Sequence, residues 1–195
     1  MAQPEVAHTP AEQEEREQAH ALVYWLQQMA EQDRRFLPAL RRSTPIHASP
    51  QTWGIALGSW TVFQRADEVG RGEVYRGVAR LFAIYHQGPQ GFFKRGHGSG
   101  SMGKALARLE HISNPYDPKR QQLRMAALLR SRTRLPWRPL EQAILDMRNR
   151  RAMPPHWSEL IIDLTHWYDR AQGASRAPTV GERWWSDYYE LSPRP

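Results

Sequence analysis

Glu12 to Met29 reads EQEEREQAHALVYWLQQM. Leu22, Trp25, Leu26 and Met29 fall at intervals of three and four, which gathers them on one side of an α-helix and would scatter them over both faces of a strand. Glu12, Glu14, Glu15 and Glu17 occupy the early turns, where carboxylates meet the positive end of the helix dipole. The same spacing recurs among the large apolar residues further along. Sustained alternation is missing, and no Asn-Gly hairpin joins two β-branched runs. The spacing predicts an all-α fold.

Working outward, the first ten or so residues are expected to fray, and a short helix is expected near Arg34 to Arg42. Ser49-Pro50 offers an N-cap and a first-turn proline ahead of Trp53, Leu57 and Trp60. Gly70 to Gly72 interrupts the chain before Val74, Val78, Leu81, Phe82 and Tyr85. Residues 87–100, QGPQGFFKRGHGSG, hold five Gly and one Pro, too many for a regular element, and read as a mobile loop of the kind that often carries function. A helix restarts at Ser101 and breaks between Ser113 and Pro118. Four more are expected, at about 118–131, 136–150, 155–171 and 178–191. Asn114-Pro115 is the best boundary, dividing an N-terminal helical domain, 1–113, from a C-terminal helical bundle, 114–195. No internal repeat is apparent. The architecture expected is two helical bundles with about eight or nine helices.

A chain of 195 residues with 40% hydrophobic residues can bury a substantial core. Eight Trp and seven Tyr are expected mostly inside it, because rings at helical spacing pack inward. There is no Cys, hence no disulfide framework and no thiolate zinc site, which fits a reducing cytoplasm. The start, MAQPEVAHTPAEQEEREQAH, is acidic and polar where a signal peptide is basic and then apolar. No stretch approaches the roughly 18 apolar residues of a spanning helix. The expectation is a cytoplasmic protein without a membrane partner.

Charge is segregated along the chain. Between Arg34 and Ser158 lie 22 Lys and Arg against seven Asp and Glu, a balance of +15, while residues 1–33 carry −6 and residues 159–195 carry −2. The acidic flanks show that arginine was not imposed uniformly. An excess confined to the folded middle suits a surface that binds a polyanion, nucleic acid first among them.

Catalytic patterns are weaker. Gly98-Ser-Gly-Ser-Met-Gly103-Lys104-Ala105 matches the G-x-x-x-x-G-K part of a phosphate-binding loop, but Ala105 lacks the hydroxyl that would hold Mg²⁺, and no apolar strand precedes the glycines. Its backbone amides, with Lys104 beside them, remain suited to a polynucleotide phosphate without catalysis. Asp163 and His166 share a helix face at i, i+3 near His156, but no third ligand stands at metal spacing, so they read as surface or interface polar groups. His97 lies near Ser99 and Ser101 without an acid to orient it. No catalytic residue, metal ligand or cofactor is nominated.

The basic candidates form a better case. Arg34, Arg35, Arg41 and Arg42 cluster around one short helix, Lys94 and Arg95 sit in the glycine loop, and Lys104 and Arg108 stand one helical turn apart. Lys119, Arg120 and Arg124 lead into Arg130, Arg132, Arg134 and Arg138. Arg120 and Arg124 share a helix face, a geometry suited to tracking a phosphate backbone. Zinc-finger spacing, an RNA-recognition signature and a leucine zipper are all lacking, which argues against sequence reading. Nucleic-acid binding without sequence specificity is the reading of these residues. A free-standing helical nucleic-acid-binding protein and a degenerate phosphate-loop nucleotidase are the alternatives.

Ser101-Met-Gly103-Lys104-Ala105-Leu106 resembles the small subunit of the type I-E CRISPR surveillance complex Cascade, the CasB family, in its serine, apolar, glycine, basic, Ala-Leu start to a helix. Arg124-Met-Ala-Ala-Leu128-Leu129 is similar to that family's basic helix with paired leucines. Trp157, Leu160, Asp163-Leu164 and Trp167 resemble its Trp-x-x-Leu helix. Arg183-Trp184-Trp185-Ser-Asp187-Tyr188-Tyr189 resembles its terminal segment, Leu40-Arg41-Arg42 its paired-basic element, and Leu81-Phe82-Ala83 its apolar helix. The resemblance spans roughly residues 20–191, and the order of the motifs makes it specific. It implies a noncatalytic, all-α protein of two bundles that supports guide RNA and target DNA and stabilises the R-loop. Implied partners are the guide-coating backbone protein, the large subunit and a second copy of itself. Arg41 and Arg42 carry over best as nucleic-acid contacts, with Lys104 and Arg124 next. Lys94 and Arg95 have no obvious counterpart.

Overall fold

Thr9 starts the first helix, α1 (Pro10–Gln32). Its hydroxyl accepts from the Glu12 amide at 3.4 Å, and its own amide donates to the Glu12 carboxylate at 2.8 Å, so two orphan donors are satisfied reciprocally. The computed structural model describes residues 9–33, 35–42, 70–86, 97–112, 119–130, 134–167 and 178–191, and of residues 119–121 the backbone only. Among the described residues seven further helices follow: α2 (Phe36–Arg42), α3 (Gly72–Tyr85), α4 (Met102–Ile112), α5 (Lys119–Arg130), α6 (Trp137–Asn149), α7 (Trp157–Thr165) and α8 (Val180–Leu191). No strand occurs among the described residues, and the fold is all-α.

The helices fall where the spacing of apolar residues puts them, because the same residues line the core. Leu22 and Leu26 of α1 are fully buried, as are Val78 and Phe82 of α3, Leu106 of α4, Ile144 of α6 and Trp157 of α7. Each such side chain contributes about 1.5–3 kcal/mol relative to exposure. α3 is the most enclosed, showing solvent only Glu73 and the partly covered Arg76 and Arg80. It packs against α2, α6 and α7, while α1 lies on α7, and α5 touches α4, α6 and α8. At its end, His86 is buried beside Phe82, Tyr85 and Trp157, with its ring centroid 4.3 Å from that of Phe82. Burial holds this imidazole neutral by pushing its pKa down to about 3.

α4 and α8 pack with their backbones in close approach. A Cβ on Gly103 would stand 2.0 Å from the Trp184 carbonyl oxygen, so only glycine lets the two backbones approach this far. Ser101 caps α4 by accepting from the Lys104 amide at 3.3 Å, and its hydroxyl donates to Asp187 of α8.

The expected boundary at Asn114-Pro115 and the helix after Ser49-Pro50 lie outside the described residues. Helices on either side of that boundary pack on each other, α1 on α7, α3 on α6 and α4 on α8. α7 ends at Thr165, short of the expected 171. Thr165 donates to the Ile161 carbonyl at 2.9 Å, and the Trp167 amide turns to Leu164, tightening the last turn. Residues 168–171 lie outside the described residues. No helix among the described residues is long and apolar enough to cross a membrane.

Candidate nucleic-acid interface

α2 is short, and Phe36 and Leu40, one turn apart, are its buried residues. That inward face leaves Arg35 and Arg42 exposed and Arg41 half-buried. The seam beside them is held by Arg80 of α3. Its Nε donates to the Arg41 carbonyl at 3.3 Å, and its guanidinium makes a two-pronged pair with Glu141 of α6, at 2.6 and 2.8 Å. One side chain thus ties three helices together with the bidentate geometry that suits arginine and not lysine. At the other end of the seam, the Trp137 indole donates to Glu73 at 2.8 Å. Arg76 stands one turn before Arg80, and exposed Arg138 one turn before Glu141. Among the described residues, Arg41, Arg42, Arg76, Arg80 and Arg138 lie along these stretches of α2, α3 and α6 together with Glu73 and Glu141. The Arg41 Nε is buried and has no hydrogen-bond partner among the described residues.

Arg35, Arg42, Arg130 and Arg138 are exposed and make no ion pair among the described residues. Arg134 is exposed as well, beyond the end of α5. Arg35, Arg42, Arg130 and Arg138 are the groups able to meet a polyanion without first breaking an ion pair among the described residues.

Other nominated residues are engaged within the fold. Lys104 stands 3.9 Å from Asp187 and 4.0 Å from Glu190. Arg124 of α5 is ion-paired with Asp146 of α6, and both side chains are mostly covered. Arg108 donates to the carbonyls of Ser99 at 2.5 Å and Pro154 at 3.3 Å, and partial burial lowers its pKa. It clamps the loop before α4 onto the segment before α7. Three backbone bonds complete that clamp: Ser99 to Pro154 at 3.0 Å, His156 to Gly100 at 2.8 Å and Trp157 to His97 at 3.1 Å. The Ser99 amide is therefore engaged internally. Gly98, at φ +71°, leaves no room for a Cβ, which would lie 1.9 Å from the Pro155 carbonyl oxygen. In the phosphate-loop-like stretch Gly98 and Gly103 serve close packing, and Gly100 holds a left-handed turn at φ +62°.

Lys119 and Arg120 occupy the first turn of α5. Arg34, Lys94, Arg95 and Arg132 lie outside the described residues. Arg76 and Arg80 were not nominated from the sequence, although their i, i+4 spacing at the polar edge of an otherwise apolar helix was a usable signal.

The carboxy-terminal polar residues hold helices together. Asp163 is buried, accepting from the Trp184 indole at 2.6 Å and from Arg183 at 2.9 Å, and burial raises its pKa against the opposing pull of those two partners. It is a buried link between α7 and α8, where the sequence suggested a surface or interface group. His166 meets Glu15 of α1 at 2.9 Å, and His156 bonds Ser158 at 2.8 Å. No group of three His, Asp or Glu able to hold a metal ion occurs among the described residues.

The chain is similar over residues 36–189 to the family described as CRISPR-associated protein Cse2. No curated protein and no solved structure matches it. The family match covers α2 and the whole arginine seam, and runs to the aromatic turns of α8, so it takes in most of the chain and all of the helices that build the candidate surface. The chain belongs to the Cse2 family of CRISPR-associated proteins, the small subunits of Cascade.

Proposed function

We propose that this Cascade small subunit binds nucleic-acid backbones through the rim formed by α2, the α3–α6 seam and the end of α5. There it supports guide RNA and target DNA and stabilises the R-loop, noncatalytically and without reading sequence. The observation that carries the reading is the set of exposed arginines, Arg35, Arg42, Arg130 and Arg138, that make no ion pair among the described residues of a middle segment with a balance of +15. Replacing a DNA duplex by an RNA–DNA heteroduplex is nearly balanced in pairing energy, so contacts to strand backbones tip it. Guanidinium groups on rigid helices supply such contacts at little ordering cost.

Arg41→Ala with Arg42→Ala tests this in the assembled complex. Affinity for target DNA should fall, and the slope of log affinity against log salt should shrink in magnitude by about 1.4–1.8, two phosphate contacts' worth. Helical content should be unchanged. An unaltered affinity and slope at two salt concentrations would remove both residues from the interface.

A further inference from the structure

α2 is seven residues long, and Phe36 and Leu40 are its buried residues. A helix this short is marginal without tertiary support, and its last turn leaves carbonyls with no partner inside the helix. One of them, that of Arg41, accepts from the Arg80 Nε of α3 at 3.3 Å. Arg80 is fixed in turn by Glu141 of α6, whose two oxygens take its terminal nitrogens at 2.6 and 2.8 Å. The Arg80 and Glu141 side chains are 21% and 35% exposed, so the fork is sheltered from full solvent screening. Arg80 therefore caps the carboxy-terminal end of α2 from a neighbouring helix, with a positive charge where the helix dipole is negative.

All three nitrogens of the Arg80 guanidinium donate within the fold, so a phosphate would have to displace an existing bond to reach it. Arg41 and Arg42 are the residues that end α2, and the direction of their side chains follows from where its last turn is held. A cation kept in place before the strand arrives binds more tightly than one that must be ordered on arrival.

We propose that Arg80, gripped by Glu141, is a positioning residue for nucleic-acid binding: it anchors the last turn of α2 and so presents Arg41 and Arg42 to a phosphate backbone without touching the strand itself. This role rests on the reading of the rim as the nucleic-acid surface. Charge alone makes the opposite demand of Glu141, since a carboxylate beside a bound polyanion weakens attraction. Lysine at position 80 would keep the charge, but its single nitrogen cannot reproduce the planar grip on two carboxylate oxygens together with the cap.

The test measures the affinity of the assembled complex for target DNA with four forms of the subunit: wild type, Arg80→Lys, Arg41→Ala with Arg42→Ala, and all three changes together. Arg80→Lys should weaken binding by about fivefold where Arg41 and Arg42 are present, and by less than about twofold where both are alanine. A loss of equal size in the two backgrounds would show Arg80 acting on its own, and no loss in the first would show that α2 needs no anchor; either overturns the proposal. Glu141→Gln keeps the side chain's size, removes a negative charge from the rim, and should still weaken binding by about threefold. Affinity equal to or tighter than wild type in that variant would overturn the proposal as well. Helical content of each isolated subunit shows that it is folded, and Glu141→Gln carries the test if Arg80→Lys loses it. Unchanged affinity on replacing Arg41 and Arg42 would bring down the rim reading and the positioning role with it. A loss there beside wild-type binding by Arg80→Lys would remove the positioning role alone.

Discussion

The α4–α8 seam and the α2–α6 rim both carry basic side chains, yet they use them oppositely. On α4, Lys104 faces two carboxylates of α8 across the seam, and Arg108 is fixed on two backbone carbonyls of the adjoining segments before α4 and α7. At the rim, Arg42 and Arg138 stand in solvent with no ion pair among the described residues. The residue type is the same, so the environment decides the role. A guanidinium whose donors already reach internal acceptors must lose those bonds before it can hold a phosphate, whereas an exposed one exchanges only water and counterions. The seam's basic groups are accordingly spent within the fold and the rim is the surface proposed for binding, so substitutions can separate the two.

The largest effect is expected at the seam's closest approach. Gly103→Ala gains about 1 kcal/mol of helix propensity, but its methyl group would sit 2.0 Å from the Trp184 carbonyl oxygen, and a backbone atom cannot rotate away. The clash should win, with a net loss of about 2 kcal/mol in a urea titration. A neutral or stabilising outcome would mean that α4 and α8 are not this close.

Next in size is the contrast between Arg108 and Arg42. Arg108→Ala removes the bonds to Ser99 and Pro154 and should cost about 1–2 kcal/mol. Arg42→Ala, at an exposed position, should stay within about 0.5 kcal/mol while weakening nucleic-acid binding. Equal destabilisation by the two would erase the distinction between seam and rim.

The sequence carried the helices because the residues that set the spacing are the ones that pack. Val74, Val78, Leu81, Phe82 and Tyr85 recur at three and four, and all five are buried. What it did not carry is the phase of one helix against another. Trp184 and Trp185 are neighbours of one type, and the positions of α4 and α7 make the first a core residue and leave the second outside. The same holds for charge. Arg124 belonged to a basic cluster in the sequence, but Asp146, its partner, is brought to it by the packing of α5 on α6. Gly98 to Lys104 resembled a phosphate loop because glycines that admit a ligand and glycines that admit another backbone are written alike, and the carbonyls of Pro155 and Trp184 that distinguish them lie far along the chain.

Lys104 gives the smallest effect and the finest resolution between the two uses of charge. Its ammonium stands about 4 Å from both Asp187 and Glu190, and the lysine and Glu190 side chains are substantially exposed, at 38% and 68%. Such pairs are weak because water screens them and two long side chains must be held in one geometry, so Lys104→Ala should cost no more than about 0.5 kcal/mol. Binding is the more informative measurement. If the two carboxylates hold the ammonium back from phosphate, Lys104→Ala leaves DNA affinity of the assembled complex and its salt slope as they were. If the lysine leaves them for a strand, the slope shrinks by about 0.7–0.9, one contact's worth. In that second case Asp187→Asn, which removes one of the competing carboxylates, should strengthen binding. A variant pair that moves affinity in opposite directions would extend the rim across α4, and a pair that moves neither would confine it to the arginines of α2, α6 and the end of α5.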